Sequence, residues 1–356
     1  MTTGPLIALL AAALFGASTP LTKLLGGIDP LILAGLLYLG SGLGLSIVRL
    51  TRPRAAPLPR QDWPWLAGAI ICGGIVGPIC LVLGLRATPA STASLLLNLE
   101  GVLTAMLAWV VFGEAADRRI VAGMIAIVAG GVVLGWSPSA GVAFSAGALL
   151  IAVACLAWAL DNNLLQRVSG GDALQIASLK GLVAGGVTIS IGLMLGQRLP
   201  ALPSIGAAAL VGLLGYGASL VLYVIALRQL GTARTGAYYA AAPFIGVGLS
   251  VLLLGETLTT PVIVAALLMA LGLYLHLTED HGHDHDHPTI EHTHPHQHDT
   301  HHSHEHEPAV ALAPGTSHSH RHAHATLLHR HPHYPDLHHR HRHEQTADAD
   351  LPSPSS

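Results

Sequence analysis

The chain is poor in charge, poor in aromatic residues and, for most of its length, entirely without histidine. Only 10% of its 356 residues are Asp, Glu, Lys or Arg, against about 25% in an average soluble domain. Aromatic residues make up 4%. No Lys/Arg cluster forms a basic face, which argues against a nucleic-acid partner. The three cysteines, Cys72, Cys80 and Cys155, sit within apolar runs and lack C-x-x-C spacing, so they read as small buried hydrophobes and not as a disulfide frame or zinc site. There is no H-E-x-x-H, no phosphate-cradling glycine loop and no nucleophile–base set, so catalysis has no support in the sequence and the chain is expected not to be an enzyme. Histidine is absent until His276, and all 24 histidines lie from there onward. Two physically different objects therefore share one chain.

What is abundant is apolar sequence. A helix needs about 20 mostly apolar residues to cross a hydrocarbon core of about 30 Å. That ruler yields ten segments, near residues 4–25, 29–48, 64–85, 89–112, 119–136, 147–167, 174–195, 204–227, 232–254 and 260–276. These segments lack the polar outer face a soluble helical protein needs, so the expected fold is an all-α integral membrane protein with the lipid bilayer as solvent. The 40 glycines suit close helix packing through small residues. The apolar N-terminus has no Lys or Arg before it, and further apolar segments follow, so it reads as the first span and not as a signal peptide. With the N-terminus inside, nine Lys/Arg fall on inner loops and helix ends and three (Lys23, Arg86, Arg198) on the outer side. That bias places both termini in the cytoplasm. In a prokaryote the location would be the inner membrane, with the chain crossing it many times.

A repeat organises the spans. Leu85–Glu114 (LRATPASTASLLLNLEGVLTAMLAWVVFGE) aligns without a gap on Leu227–Glu256 (LRQLGTARTGAYYAAAPFIGVGLSVLLLGE), at an offset of 142 residues. Each half then holds five helices, and an odd number inverts one half relative to the other, a plan shared by many secondary transporters. The expected units are a first repeat over 1–138, a second over 139–280 and a tail over 281–356. The tail, beginning HGHDHDHPTIEHTHPHQHDTHHSHEHEP, has lost hydrophobic periodicity and is expected to be disordered.

The residues closing each aligned segment, Gly113-Glu114 and Gly255-Glu256, carry a resemblance, as does ALRQLGTARTGAYYAAAPFIGVGLSVLLLGETLT with its Pro243. Together with the ten-helix plan they resemble the EamA branch of the drug/metabolite transporter superfamily. The resemblance spans about residues 4–276 and none of the tail. It implies a 5+5 bundle that moves small solutes, often outward, by secondary transport, and leaves the substrate open. It also implies that a basic residue often stands where Lys180 does. The first half departs from the pattern, with Glu100-Gly101 where the second half has Ala242-Pro243.

Ionisable groups at membrane depth are costly and mark function by default. Glu100 lies 11 residues into its segment, about 17 Å deep at 1.5 Å per residue, near the midplane. It is the first candidate for binding a cation or carrying a proton; the structural alternative is an interhelical hydrogen bond from a protonated carboxyl. Asp161 and Lys180 each lie six residues from the same side, about 9 Å deep on consecutive helices. They invite an ion pair, either static or broken during transport. Asn162, Asn163, Asn98, Tyr216 and Tyr238 are candidate hydrogen-bonding residues of the pathway, joined by Tyr239. Glu114 and Glu256 read as structural marks at helix ends.

In the tail, His281, His283, His285, His287, His292, His294, His296, His298, His301, His302, His304 and His306 alternate with Asp, Glu, Thr and Pro. Imidazole suits zinc, nickel, cobalt and copper, so the tail is expected to bind such metal ions, though none is required as a cofactor. A solubilising extension and a pH sensor are competing readings. The sequence leads to a transporter of a small metabolite with a metal-binding tail. A divalent Ni, Co or Zn transporter, and a metal store or sensor anchored in the membrane, stay open, as does a homodimer.

Overall fold

The computed structural model describes residues 4–51, 58–112, 118–136, 145–166, 168, 172–230, 232–277, 284–287, 290–296, 318–324 and 327–330. Up to residue 277 the described chain is helical because bilayer-crossing backbone must satisfy its N–H and C=O groups internally. The helices are α1 (Gly4–Leu24), α2 (Pro30–Leu50), α3 (Trp63–Ala69), α4 (Gly77–Ala87), α5 (Ala90–Leu96), α6 (Leu99–Phe112), α7 (Arg118–Gly135), α8 (Ala146–Gln166), α9 (Ala173–Met194), α10 (Leu202–Gly212), α11 (Ser219–Leu230), α12 (Thr232–Tyr239), α13 (Ala242–Leu254) and α14 (Thr260–Leu277). Several begin on proline at their first or second position, Pro30, Pro78 and Pro243 among them, where the missing N–H costs nothing.

Eight helical rods among the described residues are long and apolar enough to cross a bilayer: Gly4–Leu24, Pro30–Leu50, Arg60–Ala87, Ala90–Leu107, Arg118–Gly135, Ala146–Leu165, Leu174–Met194 and Leu202–Ala226. Two further apolar helices, Ala242–Leu254 and Thr260–Leu275, are shorter. The ninth span expected over 232–254, with Pro243 kinking it or ending a regular turn, is here two short helices, α12 and α13. Ala240 and Ala241 form a turn between α12 and α13, because the α-region is disfavoured before Pro243 and its ring removes a backbone donor. The fourth rod is interrupted likewise at Leu97 and Asn98.

Two rods carry a π-helical stretch, Ile70–Val76 between α3 and α4 and Leu213–Ala218 between α10 and α11. Their ends lie 213 − 70 = 143 and 218 − 76 = 142 residues apart. Packing pairs repeat at the same offset. α2 packs on α9 and α7 on α14; α1 on α13 answers α8 on α6, and α1 on α11 answers α8 on α4. The α2–α9 crossing is close because Gly42 and Gly181 face each other. A Cβ on Gly42 would meet the Leu182 nitrogen at 2.4 Å, and one on Gly181 the Gly42 Cα at 2.7 Å, so small residues here set the interaxial distance. Large apolar side chains face outward around the bundle, with Leu252 79% exposed and Val110 72% exposed, as befits a surface solvated by lipid and not by water.

In the C-terminal segment, Asp284–His287 pairs antiparallel with Leu327–Arg330, and Ile290–His296 with His318–His324. The sequence had suggested no regular structure here. Two-stranded ribbons of this kind are marginal in water without further support.

Candidate functional site: a carboxylate, an ion pair and an aromatic arc

The interruption between α5 and α6 sets the site. The Asn98 amide donates back to the Leu95 carbonyl at 2.9 Å and approaches Met269 Sδ at 3.7 Å. The Asn98 side chain thus bonds within the break, to a carbonyl that also accepts from the Asn98 N–H at 3.0 Å. Two residues on, half-buried Glu100 opens α6. Its Oε1 accepts from Asn162 Nδ2 on α8 at 3.0 Å. The same amide reaches Thr104 Oγ1 at 3.3 Å, while Thr104 Oγ1 donates to the Glu100 carbonyl at 2.8 Å. Neighbouring Asn163 is buried and donates to Ala159 O at 2.8 Å and Thr104 O at 3.3 Å, knitting α8 to α6.

Asp161 precedes these asparagines on α8 and forms an ion pair with Lys180 on α9. It is the single ion pair among the described residues. Asp161 is 4% exposed, and its second oxygen, Oδ1, has no hydrogen-bond partner. The π-helical stretch makes room for it: a Cβ on Gly73 would lie 2.1 Å from Asp161 Oδ2. Because π geometry displaces the i−4 bond, the Gly73 carbonyl is available to side chains. It accepts from Tyr38 Oη at 2.7 Å and Trp158 Nε1 at 2.9 Å. Sequence reasoning had passed over Trp158 and Gly73. The run IICGGIV offers a hint in its paired glycines, but nothing in it announces a π-turn.

From Tyr38 an arc of rings runs across the bundle. Tyr38 and Tyr216 have centroids 5.7 Å apart, Tyr216 and Phe15 6.2 Å, Phe15 and Tyr239 5.6 Å, and Tyr239 and Tyr223 4.7 Å. Glu100 lies within electrostatic reach of Asp161, Lys180, Tyr38, Tyr216 and Tyr239, so the carboxylate, the pair and the arc belong to one region. Tyr216 thus joins the site. Among the described ring contacts the arc takes Tyr239 and leaves out half-buried Tyr238.

Glu256 is set at one end of the bundle. Gly255 terminates α13 with φ of 66°, a left-handed conformation that glycine adopts without steric cost. The turn delivers Glu256 to the start of α5, where its oxygens accept from Ala90 N at 2.7 Å, Ser91 N at 2.8 Å and Ser91 Oγ at 2.6 Å. Those N–H groups have no partner inside their own helix. Glu114 lies outside the described residues.

Among the described residues no group of three or more His, Cys, Asp or Glu side chains is placed to hold a metal ion. Of the twelve tail histidines assigned to metal, His285, His287, His292, His294 and His296 fall on described backbone. The other seven, His281, His283, His298, His301, His302, His304 and His306, lie outside it.

Comparison with known proteins gives the fold and site a context. A transporter named only as uncharacterized, from Methanothermobacter thermautotrophicus, is 26% identical over 285 residues, covering 74% of this chain and 83% of its own. The inner membrane transporter YedA of Escherichia coli K12, likewise named as uncharacterized, is 27% identical over 69% of this chain and 83% of its own. A shorter match, 42% identical over 78 residues, is to ArnE of Pseudomonas aeruginosa, named as a probable 4-amino-4-deoxy-L-arabinose-phosphoundecaprenol flippase subunit; it covers 22% of this chain and 65% of that one. A solved crystal structure of 21% identity superposes with a TM-score of 0.57 over 77% of this chain and 96% of its own, a likeness of fold. The EamA-like transporter family model matches twice, over residues 2–136 and 145–278. The chain belongs to the EamA-like transporter family, whose members are multi-pass membrane proteins.

Proposed function

We propose that the protein is a secondary transporter that exports a small organic solute carrying a cationic group, and that its substrate meets Glu100. The observation that carries this reading is the company Glu100 keeps. Among its described neighbours within bonding distance is an amide, Asn162, and no cation. A carboxylate so placed has charge to offer a substrate or a proton, whereas Asp161 already spends its own on Lys180. The rings of Tyr38, Tyr216 and Tyr239 supply π faces that attract a cation and hydroxyls that can orient it.

Ten spans arranged as two inverted five-helix repeats suit this task. In support stand the 142-residue offset in sequence, the paired π-stretches and helix breaks, the answering helix contacts, and a family model that matches once in each half. The distribution of Lys and Arg supports a topology with both termini in the cytoplasm. The tail is a metal-binding accessory, its imidazoles suited to zinc, nickel, cobalt or copper. A divalent cation as substrate is the weaker reading, because the intramembrane carboxylates Glu100 and Asp161 are not joined by a third ligand among the described residues.

The test is uptake into proteoliposomes by the full-length protein, Glu100→Gln and a 281–356 deletion. A panel of radiolabelled organic amines and zwitterions is offered beside nickel, cobalt and zinc, with and without a pH gradient. Expected is flux of an organic cation, abolished in Glu100→Gln and kept in the deletion, with metal bound by both tail-bearing proteins and not by the deletion. Metal flux that survives the deletion and is lost in Glu100→Gln would replace the organic solute by a divalent cation.

A further inference from the structure

A cavity of about 320 Å³ opens at the end of the bundle where α1 ends, α2 begins and α4 ends, away from Glu100. Its floor is apolar, from Leu33, Val82 and Leu85, and its polar lining comes from Thr22, Lys23 and Arg86. All three polar residues offer hydrogen-bond donors, and no carboxylate is among the lining residues.

Helix capping accounts for part of this arrangement. Lys23 Nζ donates to the carbonyls of Leu85 and Thr88 at the end of α4, and Arg86 Nη2 donates to the Ile28 carbonyl at 2.8 Å. An ammonium has three donors and a guanidinium five, so both retain capacity. The nearby acids are engaged elsewhere: Asp29 Oδ2 accepts from the Arg198 N–H at 2.9 Å, and the Glu256 carboxylate caps α5. Neither Lys23 nor Arg86 forms an ion pair with a described carboxylate. Capping leaves unexplained Thr22, one of the residues lining the cavity, which is 1% exposed and whose hydroxyl has no hydrogen-bond partner. A buried hydroxyl left unpaired costs about 1–3 kcal/mol; Glu256 acts on Lys23 through space but is committed to capping α5 and bonds neither cation, so an unpaired donor beside two cations suits an anion.

We infer that Thr22, Lys23 and Arg86 form a binding site for a phosphate-type oxyanion, borne by a lipid headgroup or by a soluble phosphate. The site sits where helices end, the level of the headgroups in a bilayer, and on the side that the Lys/Arg distribution makes external, so the headgroup in question is one of the outer leaflet. Leu24, next to Lys23, is 54% exposed and offers an acyl chain an apolar flank. A phosphate oxygen accepts from Thr22 Oγ1 while guanidinium and ammonium neutralise its charge. The site is separate from the Glu100 region and does not depend on which solute is transported.

Melting of full-length protein in neutral detergent micelles tests this. The protein is titrated with short-chain phosphatidylglycerol, with phosphatidylcholine of equal chain length, and with inorganic phosphate exchanged for chloride at constant ionic strength. Phosphatidylglycerol is expected to raise the melting temperature saturably and beyond phosphatidylcholine. Thr22→Val and Arg86→Gln should each move its half-saturation upward about tenfold, the scale of one charge-assisted hydrogen bond. Both variants keep the Lys23 cap, and without anion Thr22→Val should melt at or above wild type, so a folding defect is separable from lost binding. A matching effect of inorganic phosphate makes the oxyanion itself the ligand, and an effect of phosphatidylglycerol alone makes it the lipid headgroup; either upholds the site. No saturable effect of either anion, or unchanged half-saturation in both variants, overturns it.

Discussion

Replacing Lys180 with methionine should destabilise the bundle far more than replacing Lys180 and Asp161 together. Asp161 is 4% exposed, the Lys180 side chain 12% exposed, and the pair lies between α8 and α9. Asp161 Oδ1 is already without a partner, so removing the ammonium strips the carboxylate of its counter-charge and its bonded donor at once. The Gly73 backbone packs against the carboxyl and, with its own N–H in the helix, offers it no side-chain relief. Breaking a buried pair from one side typically costs about 3–5 kcal/mol, whereas replacing both charges by groups of similar volume is often neutral. Unfolding free energies in mixed micelles should therefore fall by about 3 kcal/mol or more for Lys180→Met. The same applies to Asp161→Asn, which orphans the ammonium, while the double variant should return to within about 1 kcal/mol of wild type. A coupling energy of 2 kcal/mol or more in that cycle is the expected result, the pair being in direct contact. Single variants that each lose less than about 1 kcal/mol, with additive effects, would refute the reasoning and leave the pair as a solvated contact of little weight. Flux measured alongside separates scaffolding from transport: a double variant that is stable yet inactive assigns the charges to the transport cycle.

The glycines supply a sharper steric contrast. Gly73→Ala places a Cβ 2.1 Å from Asp161 Oδ2, while Gly101→Ala, one residue after Glu100, meets nothing within 4 Å; folded yield and flux should collapse for the first and stay near wild type for the second, as size-exclusion profiles and uptake would report. At the end of the bundle, Glu256→Ala removes the acceptor of two backbone N–H groups and a hydroxyl at the start of α5. A lost cap is worth about 0.5–2 kcal/mol, so melting should drop, and Glu256→Gln should recover part of the loss through its remaining oxygen.

Membrane insertion was legible in the chain itself, because apolar length against bilayer thickness is a property of sequence alone. So were the repeat offset and the matching positions along consecutive helices of Asp161 and Lys180, since helical rise converts residue counts into distances. The structure brings the last two together as an ion pair. The division of labour around them depended on tertiary contacts. Glu100 could have met any of several helices; packing of α6 on α8 gave it Asn162 and gave Asn163 the Thr104 carbonyl instead. Asn98, two residues before Glu100, bonds back onto the Leu95 carbonyl within the helix break, and Tyr239, not its neighbour Tyr238, entered the ring arc. One residue along a helix turns a side chain by about 100°, so the composition of a polar stretch says that a site is near without saying which of its members faces it. The π-turn at Gly73 is the plainest case. Its carbonyl takes its two side-chain donors, Tyr38 and Trp158, from helices distant in sequence, and short-range pattern carries no record of what arrives from the other side of the bundle.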